Sequence, residues 1–172
     1  MSVPDISYED LEANIASSLS NVFDTMLDEA CQLQVAEDLS SSDVEMPRIA
    51  DLDEASIYVG SVGFVGEING VIYLYLSESL MRSIASKITE LPVDQIESEI
   101  ASDVCGELAN MFGGGIKTGI AKLGHESSLT IPTVLSGHEL FISTMGVARY
   151  VRGEFSLMSE SIFADLALAD IV

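Results

Sequence analysis

Apolar residues recur at helical spacing from the start of the chain. Leu11, Ile15, Leu19, Val22, Phe23, Met26 and Leu27 trace one stripe and predict a first long helix from Tyr8 to about Leu33. Ser7 and Asp10 ahead of it resemble a capping box in which Asp replaces the usual Glu or Gln. The period then lapses: Gln34 to Glu54 is polar, carries Ser40, Ser41, Ser42 and Pro47, and reads as a loop with room for one short strand. Ala55 to Leu76 is β-rich, and Asn69-Gly70 between its two runs marks a hairpin. Gly60, Gly63 and Gly66 fall at every third residue of the first run, marking a bulge or a place where a helix comes close, because glycine has no side chain to hold it off. Ser77 caps a short helix from Glu78 to about Glu90, with Leu80, Ile84 and Ile88 inward. Pro92 ends it and suits the first turn of the next helix.

That next segment, Val93 to about Leu123, holds the longest helical repeat, with Ile96, Ile100, Val104, Leu108 and Met111 facing a core. Beside this stripe lie Asp103, Glu107 and Asn110, at offsets of four and then three, so two carboxylates and an amide share a neighbouring face. Gly106, Gly113, Gly114, Gly115 and Gly119 burden the same segment, each costing roughly 1 kcal/mol relative to Ala inside a helix. Either the glycines end the helix after Asn110, or their missing side chains let a second backbone or a partner approach. Beyond Gly124 the pattern returns to strands. Leu129, Ile131 and Val134 flank Pro132, which implies a strand edge or interruption; Leu140 to Met145 and Val151 to Met158 look like two more strands. Ile162 to Val172 alternates as a final strand, with a helix still open. Hairpins with helices before and between them predict an α+β fold, an antiparallel sheet with long helices packed on a face, in a single domain spanning 1–172.

Composition narrows the function. Seven basic residues against 28 acidic ones give a net charge of −21, which argues against nucleic acid or an anionic membrane as partner. No apolar run approaches the roughly 20 residues that span a bilayer, and Asp5, Glu9 and Asp10 stand where a basic leader would be, so a cytosolic protein is expected. Cys31 and Cys105, each placed in a helix by the pattern, lack the spacing of a disulfide framework or metal site, and Cys105 reads as a buried filler. Glu37, Asp38, Asp43, Glu45, Asp51 and Asp53 lack the spacing of a calcium loop and read as a solvated face. Glu107 with His125 or His138 does not form a recognisable zinc ligand set.

Asp103-x-x-x-Glu107-x-x-Asn110, followed by Gly113-Gly114 and by Pro132 in the next strand, resembles the signature of the CheC/CheX/FliY chemotaxis phosphatases. The resemblance extends to Asn21 through Leu27, to the hairpin Val62–Gly66 and Gly70–Leu74, and to Ser128–Val134. Only one copy of the acid and amide pattern is present, which is similar to the CheX-like branch. The resemblance implies hydrolysis of the phosphoaspartate of a phosphorylated CheY-like receiver domain. Asn110 would orient the attacking water, much as a glutamine does in small GTPases, and Glu107 would pair with the receiver's lysine. Asp103, Gly113, Gly114 and Pro132 would contribute to binding. No cofactor is expected on this chain; Mg2+ is expected on the partner. A competing expectation is a non-catalytic adaptor that binds a receiver or flagellar-switch partner, and association of two chains as a homodimer through sheet edges stays open.

Overall fold

The computed structural model describes residues 6–40, 56–138 and 146–169, together with Leu140, Ile142 and Thr144. Helix α1, Tyr8–Leu27, opens on Ser7, whose hydroxyl accepts from the Asp10 backbone N–H at 3.1 Å and donates to the Asp10 carboxylate at 2.8 Å. Its stripe of Leu11, Ile15, Leu19, Val22, Phe23 and Leu27 is buried. The helix stops six residues earlier than its spacing predicts. Asp28 takes a left-handed conformation, its N–H reaching back to Asp24 and Phe23 carbonyls, and the chain leaves as strand β1, Cys31–Asp38. Cys31 is therefore in a strand, not a helix, and the alternation Cys31-Gln32-Leu33-Gln34-Val35 is the signal of it.

Strands β2, Ile57–Gly66, and β3, Asn69–Ser77, form the expected hairpin, but its turn lies at Glu67 and Ile68, two residues before Asn-Gly. Asn69 acts from inside β3: its side-chain carbonyl accepts from the Gly66 N–H at 3.0 Å and closes the turn, while Ile68 is buried. Ser77 caps α2, Glu78–Thr89, accepting from the Leu80 N–H at 3.1 Å. A single 3-10 turn, Val93–Gln95, leads into α3, Ser98–Lys122. Two short strands follow, β4, Ser127–Leu129, and β5, Thr133–Gly137, both paired with β2; Pro132 occupies the interruption between them. The described residues close on the hairpin β6, Val147–Leu157, and β7, Glu160–Ala169, so the last described segment is a strand. The strand expected at 140–145 falls largely outside the described residues; Leu140, Ile142 and Thr144 are not in a strand. Asp43, Glu45, Asp51 and Asp53 also lie outside them.

All pairings are antiparallel, in the order β1-β6-β7-β3-β2-β4, with β5 beside β4 on the same edge of β2. The three helices share one face, over a core that includes Phe23, Phe64, Ile72, Leu74, Phe112 and Leu166. Alternation sends Ile57, Val59 and Tyr75 to the other face, where Tyr73, Leu140, Ile142 and Phe163 pack against them. No helix among the described residues is long and apolar enough to cross a membrane.

That second face holds a buried charge the sequence pattern did not announce. Asp165, wholly buried, accepts from the hydroxyls of Tyr75 at 2.9 Å and Tyr150 at 2.6 Å, and from Arg152 through Nε and Nη2, both at 2.8 Å. Burial would lower the Arg152 pKa, but its Asp165 partner raises it, and burial beside that carboxylate raises both tyrosines. Asp165→Ala would strip both phenols and the guanidinium of this acceptor, and urea unfolding is predicted to show a loss of about 3–5 kcal/mol.

Glycine also sets how close α3 lies to β2. A Cβ at Gly60 would stand 2.8 Å from the Ala109 Cβ and 3.1 Å from the Cys105 sulfur, so the close approach expected in the first strand is present, made by the central helix. Gly60→Ala is predicted to destabilise by about 1–3 kcal/mol in the same assay, through overpacking.

Candidate functional site on helix α3

Helix α3 runs unbroken through all of its glycines, so they do not end it after Asn110. Leu108, Ala109 and Phe112 are fully buried and fix the rotation of the helix. On the opposite side Asp103 and Glu107 are exposed, and Asn110, one turn further, is half-buried. Glu107 and Asn110 are three residues apart, about 4.5 Å along the axis, so their side chains lie side by side. Among the described residues none of the three is held by a hydrogen bond or ion pair. An acid and an amide are thus presented to solvent on a rigid element, with their bonding capacity unspent.

The glycines divide by face. Gly113 is buried, and a Cβ there would meet Val62 at 3.2 Å, so it packs against the sheet and does not reach the exposed line. Gly115 and Gly119 face α1: a Cβ would stand 2.8 Å from the Ser18 Cβ at the first and 2.1 Å from the Asn14 Oδ1 at the second. Asn14 bridges the two helices, donating to the Ile116 carbonyl at 3.0 Å and accepting from the Ser18 hydroxyl at 3.1 Å. Gly114 alone of this group has nothing within 4 Å of an added Cβ, and it lies one turn beyond Asn110 on the same side. Pro132 is exposed on the β4–β5 link. The contribution of α1 was not anticipated; Asn14-x-x-x-Ser18 matched to Gly115-x-x-x-Gly119 is the signal that carries it.

Between α1 and α3 runs an open trough of about 420 Å3, lined on one side by Ser17 and Asn21 and on the other by Gly114, Thr118 and Lys122. Among the described residues no three His, Cys, Asp or Glu side chains gather where a metal ion could be held. His125 is half-buried and His138 exposed, each after the end of α3. Both cysteines are buried, and burial pushes their thiols up to about 12, away from the reactive thiolate.

An antiparallel sheet with three helices packed on one face is the CheC-like fold. The same fold occurs in a CheC-like superfamily protein from Shewanella sp. PV-4, with a TM-score of 0.74 and 23% identity over 95% of this chain and 99% of that one. It occurs also in the CheX–CheY–BeF3–Mg2+ complex from Borrelia burgdorferi, with a TM-score of 0.72 and 19% identity over 92% of this chain and 97% of that one. The chain belongs to the chemotaxis phosphatase CheX family, whose model matches residues 58–156, more than half of its length. It is 33% identical over 109 residues, 63% of this chain and 68% of the relative, to the CheY-P phosphatase CheX of Thermotoga maritima.

The thiol positions make a direct prediction. At pH 8 a thiol reagent should label neither Cys31 nor Cys105 in the folded protein and both in urea. Since the folded thiol pKa is raised, the stability gained by burying neutral thiols is present below about pH 9 and is lost as pH rises through about 12.

Proposed function

We propose that this chain is a phosphatase of a phosphorylated CheY-like response regulator and that Asn110 and Glu107 carry the activity. One observation supports the reading above the rest: the acid and amide project from an unbroken helix into solvent with no partner among the described residues. A site presented in this way suits entry into a cleft on another protein better than enclosure of a small substrate. Family membership and the activity named for the Thermotoga maritima relative point to the same substrate. The Borrelia burgdorferi complex, in which a protein of this fold is held with CheY, BeF3 and Mg2+, points to the same partner.

The chemistry asks little of this chain beyond position. In hydrolysis of an aspartyl phosphate a water oxygen bonds to phosphorus as the bond from phosphorus to the carboxylate oxygen breaks, leaving inorganic phosphate and the free carboxylate. Mg2+ on the receiver would neutralise charge on the phosphoryl oxygens. What the receiver lacks is an ordered water in line with the leaving oxygen. The Asn110 carbonyl accepts from that water and its amide N–H donates towards the phosphoryl group, so alignment replaces a random encounter. Glu107, one turn earlier, pairs with the receiver's lysine and sets the register of the two proteins. Asp103, a further turn back, extends the contact.

Asn110→Ala is predicted to lower the rate of phosphate release from phosphorylated CheY on the order of 10²-fold. Its affinity for beryllofluoride-loaded receiver should stay within about threefold of wild type, since the fold and Glu107 are untouched. Glu107→Ala should instead weaken that affinity by about tenfold or more. Wild-type protein that binds the receiver but leaves its phosphate in place would make the chain an adaptor.

A further inference from the structure

Gly114 is a glycine without an internal reason. It lies in the middle of α3 on ordinary helical backbone, and a side chain there would meet no atom of its own protein within 4 Å. Gly113, Gly115 and Gly119 each face an atom a methyl group would crowd; Gly114 faces the trough. A helix with glycine at an uncrowded interior position is weaker than the same helix with alanine. Such a position is explained when something from outside comes to lie against it.

Charge indicates what that something is. In a chain of net charge −21, Arg82, Lys87 and Arg152 are paired with Glu78, Glu29 and Asp165. Lys117 and Lys122 have no ion-pair partner among the described residues, and both belong to the last half of α3. Lys122 lines the trough. Lys117 follows Asn110 by seven residues, two turns or about 10.5 Å, which returns it to the same side of the helix. Lys122 also suits the negative end of the helix dipole, but that role does not call for Lys117 a turn earlier.

We infer that the trough between α1 and α3 receives an acidic main-chain segment of the receiver beside its phosphorylation site, with Gly114 left bare for its passage and Lys117 and Lys122 meeting its carboxylates. The inference rests on the functional reading and deepens it. A receiver that holds Mg2+ and a phosphoryl group must place oxygen ligands, chiefly carboxylates, near that centre, so the surface opposite Asn110 is acidic. Two unpaired cations further along the same helix, about 10.5 Å and about 18 Å beyond the amide, offset part of the repulsion between two acidic proteins. The bare helix surface at Gly114 lets main chain lie one side chain closer than alanine would allow. Ser17 and Asn21 on α1 and Thr118 on α3 offer hydroxyl and amide groups to that backbone.

The test uses the full chain and a CheY receiver loaded with beryllofluoride and Mg2+. Gly114→Ala should raise the thermal midpoint by about 2–4 °C and at the same time weaken binding of the loaded receiver roughly tenfold. Lys117→Gln and Lys122→Gln should each weaken binding several-fold and flatten its dependence on salt, whereas Lys87→Gln, the same single change of charge on another helix, should leave both alone. A stabilised Gly114→Ala protein that binds with wild-type affinity overturns the inference, as does a Gly114→Ala protein that loses stability, because the glycine would then serve the fold. Wild-type protein that does not bind the loaded receiver overturns the functional reading itself, a result distinct from either.

Discussion

The contact on which this structure depends is the approach of α3 to β2, at a distance only glycine permits. Gly60 lets the Ala109 methyl and the Cys105 sulfur settle onto the strand, and Gly113 does the same against Val62 from the helix side. From a second direction α1 closes on Gly115 and Gly119, and Asn14 ties the two helices by donating to the Ile116 carbonyl. A helix seated against a sheet on one side and a helix on another has no freedom to roll. Its remaining side, from Asp103 to Lys117, is then presented at a fixed angle, which is what a reaction requiring an aligned water demands of the element that aligns it.

The glycines that would weaken an isolated helix are therefore what holds this one in place. Each costs helix stability locally, and burial of Leu108, Phe112, Ile116 and Ile120 against the sheet and its neighbours offsets that cost. The core between the helices and the sheet is filled by apolar side chains, and both thiols are buried within it. The groups proposed to meet the partner lie along the rim of one helix, where Asp103 and Glu107 are exposed. Such a division suits a protein that finishes a reaction centre belonging to another molecule.

Much of this was legible along the chain, and the failures have physical causes. The hairpin of β2 and β3 was plain because alternation and the Asn-Gly pair agree, although Asn69 bonds back to Gly66 and so closes the turn from outside its centre. Helix α3 and its outward acid and amide could be located because the core stripe and the polar line follow one period. The end of α1 could not: Leu27 and Cys31 are four residues apart, so helical spacing carries on into what is strand β1. Which glycine faces the sheet, which faces α1 and which faces solvent depends on the rotation of α3, and that is set by packing. The Asp165 cluster joins residues from β3, β6 and β7, so it follows from strand register and leaves no local pattern.

Where the Asn110 amide sits against a bound receiver decides whether it can align the attacking water. In a crystal structure of this chain bound to a CheY receiver carrying beryllofluoride and Mg2+, the Asn110 side-chain amide should lie within hydrogen-bond reach, about 3 Å, of the in-line water position opposite the aspartate oxygen. A complex in which that amide points away from the beryllium centre, or in which another face of the chain meets the receiver, would contradict the account.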